Sequence, residues 1–366
     1  GDFDTRSQIV TASALLDAVE GAHTRIAKHV IRTPTIRLPW LDRPGLEVWA
    51  KLESQQHSGS FKYRGAINAL SRSNSKFIIT ASAGNHGLAT AAAGKRLEKT
   101  VQVIVPTTAS DLKIKRLMVD ANVTLLGQDL YEATREAIRI AALSSSDSQE
   151  EYHYVSPYAE FDVAAGAGTL IMEATEDAGL FDSIILPLGG GGLAAAIGSW
   201  CSIRSPSTKL ICTHPEIFGR QFESVKSISS ELLRPTSPTY SDGLAVQLVE
   251  QTPFAGILDS TISRVVQVSE YDTTVAIAHA LHLQSLLLEG SAATTIAALM
   301  TPELGKYRRG RILLVLTGGN ISSNIVAKAL VADVPNPGIR QELGLRHIIN
   351  SVERHGAISM KRNENP

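Results

Sequence analysis

Short apolar runs, Phe77-Thr80, Val101-Pro106, Val123-Leu126, Ser183-Leu188, Lys209-Thr213, Arg264-Val268 and Arg311-Leu316, recur along this chain with alanine-rich helical stretches between them. A strand reaches a parallel neighbour only through a crossover, usually a helix, so this alternation predicts an α/β protein built from βαβ units. The chain's 366 residues, 43% of them hydrophobic, suffice for two lobes or one large unit. Helix starts are marked by Ser110 before Asp111-Ala121 and by Ser269 before Glu270-Leu288. Near the N-terminus, Leu15, Leu16, Val19, Ala22 and Ile26 form one helical stripe, a core face. Polar runs at Ser144-Glu151 and Ser224-Asp242 read as lobe or loop boundaries, and a last helix is expected over Ile321-Val331.

Thirty-five basic against 36 acidic residues leave a net charge of -1, which gives no reason to expect nucleic acid or an anionic membrane as partner. A small neutral or zwitterionic substrate fits better. Cys201 and Cys212 lack CxxC spacing and are expected to be buried free thiols. No apolar run approaches a membrane span, and Gly1-Asp2-Phe3-Asp4 lacks the basic-then-apolar order of a signal peptide, so a cytoplasmic protein is expected.

In Ser58-Gly59-Ser60-Phe61-Lys62-Tyr63-Arg64-Gly65-Ala66, a loop of small residues delivers a lysine to the first turn of a helix, with Ser60 as N-cap. The positive end of the helix dipole disfavours an ammonium there and helps hold an amine neutral. The alternative is a solvated lysine opening a surface helix. In Ser82-Ala83-Gly84-Asn85-His86-Gly87, a strand-to-helix turn aims backbone amides at whatever sits above the sheet edge; they suit a carboxylate, and Asn85 adds a directed donor. A plain helix cap with a structural His86 reads equally well. In Pro187-Leu188-Gly189-Gly190-Gly191-Gly192-Leu193, four glycines between strand and helix form a phosphate cradle. Gly190-x-Gly192-x-x-Ala195 also matches a dinucleotide fingerprint with Glu216 as ribose acid, which leaves a nicotinamide-dependent dehydrogenase open; a Walker A loop is excluded. Leu316-Thr317-Gly318-Gly319-Asn320 ends a strand at the carboxyl edge where open α/β sheets bind ligands.

Together and in this order, these segments resemble the serine/threonine dehydratase and serine racemase family of pyridoxal-phosphate (PLP) enzymes, over roughly residues 10 to 330. The resemblance implies the tryptophan-synthase-β-like fold, fold type II: two lobes, each a mainly parallel twisted sheet flanked by helices. Residues 1-54 and 156-335 would form the large PLP-binding lobe, 55-155 a small mobile lobe and 336-366 a tail. It makes Lys62 the Schiff-base lysine and Gly189, Gly190, Gly191 and Gly192 the phosphate cradle. Asn85 would bond the ring hydroxyl of PLP and Thr317 its pyridine nitrogen, while Ser82, Ala83, Gly84, Asn85 and His86 would hold the substrate carboxylate through backbone amides. A homodimer acting on an amino acid is expected.

Departures from the family pattern sharpen the expectation. Relatives that racemise serine carry a second Ser where Ala83 stands, which disfavours racemisation here. The racemase-type metal site uses carboxylates after the strand that ends at Thr213, yet only Glu216 of His214-Pro215-Glu216-Ile217-Phe218-Gly219-Arg220 is acidic, and it is displaced; no metal is expected. Many relatives have Ser for Thr317, and Glu289-Gly290-Ser291-Ala292-Ala293 lacks the usual Pro after Glu, which bears on substrate choice. A neutral hydroxyl at Thr317 makes the ring a weaker electron sink than a carboxylate would, which suits elimination. The expected reaction is loss of the β-hydroxyl from an amino acid such as L-serine or L-threonine after Lys62 removes the Cα proton, giving a 2-oxo acid and ammonia. β-Replacement is the rival within PLP chemistry.

Overall fold

The structure, a computed structural model, describes residues 10–147, 151–218, 239–244 and 252–331. Its larger sheet has six strands: β1 (Thr35–Arg37), β2 (Leu46–Leu52), β7 (Ser183–Pro187), β8 (Lys209–Pro215), β9 (Ile262–Val268) and β10 (Gly310–Leu316), in the order β1-β2-β10-β7-β8-β9. Only β1 runs antiparallel to its neighbour. The smaller sheet is wholly parallel, in the order β5-β4-β3-β6, from β3 (Phe77–Ala81), β4 (Thr100–Val105), β5 (Asn122–Leu125) and β6 (Tyr152–Tyr154).

The central strand β10 shows why its sequence lacks alternation. Ile312, Leu314 and Leu316 pack into one hydrophobic cluster with α9 (Glu270–Gln284) and α10 (Gly290–Met300). Leu313 and Val315 enter another, with α1 (Ala12–Ile26), α6 (Phe161–Ala178) and α7 (Gly192–Arg204). A parallel sheet covered on both faces buries every side chain of its central strand. The small sheet repeats the plan. Ile78, Val101 and Val103 pack against α2 (Lys62–Arg72) and α3 (Asn85–Arg96), while Ile79 and Ile104 pack against α5 (Leu130–Asp147).

The predicted strands all form, and the α1 stripe is buried as expected, opened by Thr11, whose hydroxyl accepts from Ala14 N at 3.2 Å. Three strands were not foreseen. In β2 the buried Lys51 and half-buried Glu47 break the apolar pattern, while β1 and β6 have three residues each, too few to show a period. Ser269 caps α9 through Asp272 N, but α9 ends at Gln284, four residues before the predicted Leu288, where Ser285 turns left-handed at φ 55°. Helix α4 (Asp111–Leu117) is shorter than predicted, and the Ser110 side chain makes no capping bond. The last helix, α11, runs over Ser323–Leu330. The run Ser144-Glu151 is no clean boundary, because α5 continues to Asp147; residues 148–150, like 224–238 of the other predicted break, lie outside the described residues.

Cys201 and Cys212 are buried free thiols, and burial pushes the Cys201 thiol up to about 12. Among the described residues no helix is long and apolar enough to cross a membrane. Since Leu314 is fully buried at the centre of the large sheet, Leu314→Ala should remove about 3 kcal/mol of unfolding free energy. Urea unfolding of the cofactor-free protein measures this, and an unchanged midpoint would mean that β10 is not the centre of the core.

Candidate active site

The carboxyl ends of β3, β7 and β10 deliver Ser82-Ala83-Gly84, Gly189-Gly190-Gly191 and Thr317 to one cavity of about 330 Å³, which Lys62, Asn85, His86, Gly192 and Glu289 also line. Every residue expected at the site therefore meets there. Lys62 arrives differently from its prediction. Ser60 is not the N-cap of α2; Phe61 holds that position without a side-chain bond. Ser60 instead pairs in an isolated antiparallel bridge with Gly318. Phe61 N donates to Thr317 O at 2.9 Å, Gly319 N to Gly59 O at 2.9 Å and Asn320 Nδ2 to Ser58 O at 2.8 Å. The segment before Lys62 is thus stitched to the end of β10.

The Lys62 amine donates to Pro157 O at 3.0 Å. Burial lowers its pKa to about 8, against the opposing charge of Glu289. Desolvation is the largest effect on this amine and eases loss of its proton. His86 is 4% exposed, with Nε2 3.2 Å from Val155 O and Nδ1 without a partner. Burial and then the charge of Lys62 push its pKa down to about 3, so it stays neutral at ordinary pH. Ser82 Oγ is occupied inside its own turn, accepting from Gly84 N at 3.1 Å.

The glycine loop is built for close approach. Gly191 is left-handed at φ 90° and caps α7, and a Cβ on Gly190 would come within 2.1 Å of the Tyr158 Cβ. Gly189 to Gly192, at the start of α7, line the cavity with backbone, whose amides suit an anion.

Glu289 is the site residue that sequence reasoning missed as a chemical group. It lies between the apolar Leu288 and α10, and only its place beside a departure from the family pattern drew notice. Asn85 Nδ2 donates to both its oxygens, at 2.8 and 2.9 Å, and Asn320 Nδ2 donates to Asn85 Oδ1 at 2.7 Å. Arg116 Nη2 continues the chain to Asn320 Oδ1 at 2.6 Å. Burial raises the Glu289 pKa to about 7; the Asn85 bonds oppose this and the charge of Asp242 adds to it.

A family model described as pyridoxal-phosphate dependent enzyme matches residues 26–318. The chain belongs to that family. It is 29% identical to serine racemase of Dictyostelium discoideum over 327 residues, 87% of this chain and 98% of the relative. It is 31% identical to L-threonine ammonia-lyase of Geobacter sulfurreducens, across 86% of this chain and 78% of that one. The solved structure of processed threonine deaminase isoform 2 from Solanum lycopersicum superposes with a TM-score of 0.77 at 27% identity, covering 90% of this chain and 93% of that one. The fold is accordingly fold type II, and the cofactor of this enzyme is pyridoxal phosphate. The dehydrogenase reading of Gly190, Gly192, Ala195 and Glu216 falls with this result. The cavity suits the cofactor by its own chemistry: a buried amine that donates to a carbonyl, a wall of glycine backbone where a Cβ on Gly190 or Gly191 would collide with Tyr158 or Leu258, and a partnerless His86 Nδ1.

The Glu289 carboxyl gives a pH test. Its folded pKa lies above the ordinary 4.5, so the folded state holds an extra proton between 4.5 and about 7, and the penalty of its charge is fully felt only above that window. Glu289→Gln should therefore raise Tm of the cofactor-free protein more at pH 8 than at pH 5. Equal shifts at the two pH values would show that this carboxyl titrates normally.

Proposed function

We propose that this enzyme eliminates water from a β-hydroxy amino acid such as L-serine or L-threonine, yielding a 2-oxo acid and ammonia. The observation that carries the reading is a single desolvated amine, Lys62, in a cavity whose wall presents the Ala83 methyl at the position where serine-racemising relatives carry a second Ser. Pyridoxal phosphate, when bound, supplies an electron sink conjugated to the substrate's α-carbon. Lys62 would hold the cofactor and then take the Cα proton, for which an amine whose pKa burial brings down to about 8 is suited. The amides of Gly189 to Gly192 would carry the phosphate, and those of Ser82 to His86 the substrate carboxylate. Thr317, 3% exposed at the end of β10, would offer the pyridine nitrogen a neutral hydroxyl.

Racemisation needs a second proton donor, and that choice separates this reading from the activity named for one of the relatives above. Ala83 supplies none, and the neutral His86 has Nε2 beside Val155 O. The Cα proton then returns to the face it left or the β-hydroxyl departs. In deuterated solvent, recovered L-serine or L-threonine should carry deuterium with retained configuration while 2-oxo acid accumulates. D-amino acid forming as fast as 2-oxo acid would refute elimination as the main activity.

Borohydride reduction and peptide mapping should place the cofactor on Lys62, and Lys62→Ala should lose turnover; label on another lysine ends that assignment. Gly191→Asp should weaken cofactor retention in equilibrium dialysis, since Gly191 is left-handed at φ 90° and a Cβ there would lie 2.7 Å from Leu258 Cδ1, so the loop must shift. Unchanged affinity would put the phosphate elsewhere.

A further inference from the structure

Two residues beyond Lys62, the Arg64 side chain enters the interior and is fully buried. Its guanidinium grips two carboxylates: Nε and Nη2 donate to Glu53 at 2.8 and 2.9 Å, and Nη1 and Nη2 donate to Glu173 at 2.7 and 2.8 Å. Lys51 Nζ closes the group, bonding Glu173 Oε2 and Thr33 O, each at 2.7 Å. Burial alone would lower the pKa of Arg64, but the charges and hydrogen bonds of Glu53 and Glu173 outweigh it and the net shift is upward. Two cations and two anions, all at most 5% exposed, therefore stand neutralised in the interior.

The partners come from different elements. Glu53 follows β2, and Glu173 lies in α6. The same helix α6 meets α2 at backbone contact: a Cβ on Gly166 would lie 2.3 Å from Arg64 O, and one on Gly65 would lie 2.6 Å from Val163 O. On another side α6 supports the glycine loop, since the nearest atom to a Cβ on Gly192 is the Ala164 methyl at 3.5 Å. Pro157, whose carbonyl receives the Lys62 amine, leads into α6. Helix α6 thus lies between the lysine and the cradle, and Arg64 is the ionic clamp that sets how α2 seats on it.

We propose that Arg64, with Glu53, Glu173 and Lys51, is the positioning group that fixes the Lys62 amine relative to the phosphate cradle. The proposal rests on Lys62 being the cofactor lysine. A displacement of about 1 Å at a reacting group costs on the order of 10²-fold in rate, so a change in how α2 seats should be visible at the amine.

The test uses Arg64→Lys, which keeps the charge but not the two-carboxylate fork, and Gly166→Ala, which wedges α2 from α6 without touching any charge. Leu314→Ala serves as a control for general loss of stability. Each holoenzyme is titrated with pH while the absorbance of the lysine-bound cofactor is followed. Cofactor dissociation constants, and the pH dependence of Lys62 acylation in the cofactor-free protein, are measured at a temperature where circular dichroism shows all variants folded. Both α2–α6 variants should bind cofactor about tenfold more weakly or worse and shift the Lys62 titration, while Leu314→Ala leaves both unchanged. Arg64→Ala should recover part of the wild-type absorbance with millimolar guanidinium, which can enter from the 140 Å³ cavity lined by His23, Arg64 and Glu173. Folded Arg64→Lys and Gly166→Ala with wild-type affinity and titration would overturn the proposal, as would equal changes in Leu314→Ala. Borohydride label away from Lys62 in the wild type would instead sink the lysine assignment beneath it.

Discussion

Keeping one lysine out of water is the constraint around which this molecule is arranged. An ammonium in a dry cavity is costly, and the Lys62 amine is given a carbonyl as partner at Pro157 O in place of a direct carboxylate bond. The protein does not relieve the penalty; it eases loss of the proton, and the neutral amine is the form that carbonyl chemistry requires. The neighbours follow the same logic. His86, beside it, is uncharged, and Glu289 is drawn toward its neutral form. At the glycine wall, backbone amides can meet an anion without any titrating group.

The interior pays for this with a second set of charges that cannot be let go. Replacing a buried ionic cluster by apolar side chains is often neutral for stability, whereas removing one partner alone costs about 3–5 kcal/mol because its mate is stranded. Arg64 is the extreme case: two carboxylates and the Thr169 hydroxyl, 3.3 Å from Nη1, depend on it. Such a cluster adds less to net stability than to the uniqueness of how the helices seat, because the fork and the two carboxylates match in few orientations.

Much of this was legible before any coordinates. Strands such as β7 and β10 announce themselves because both faces are buried and their sequences are uninterrupted apolar runs. The glycine loop and the Ser82 to His86 turn were readable because backbone geometry, and not side-chain partnership, defines them. What escaped was long-range. Lys51 and Glu53 look like surface residues in the sequence, and nothing local says that Glu53 pairs with Arg64 eleven positions on, or that Glu173 neutralises Lys51 and Arg64 across more than a hundred. Ser60 read as a helix cap because its type fits one; its real partner, Gly318, belongs to a strand end far along the chain. Glu289 was hidden for the same reason, its donor Asn85 being 204 residues away.

The chain of amides through Asn85 has a consequence for proton balance. Its Nδ2 serves both oxygens of Glu289 while its Oδ1 accepts from Asn320, so its amide hydrogens are already committed. A ligand that accepts from the Asn85 amide must take a donor away from Glu289, and a buried carboxylate stripped of donors binds its proton more tightly. Binding of such a ligand is thereby tied to proton uptake. By linkage, a ligand held through Asn85 gains affinity as the solution becomes more acidic across the range where Glu289 titrates, so that the pH of the surroundings acts as a second substrate of the binding step.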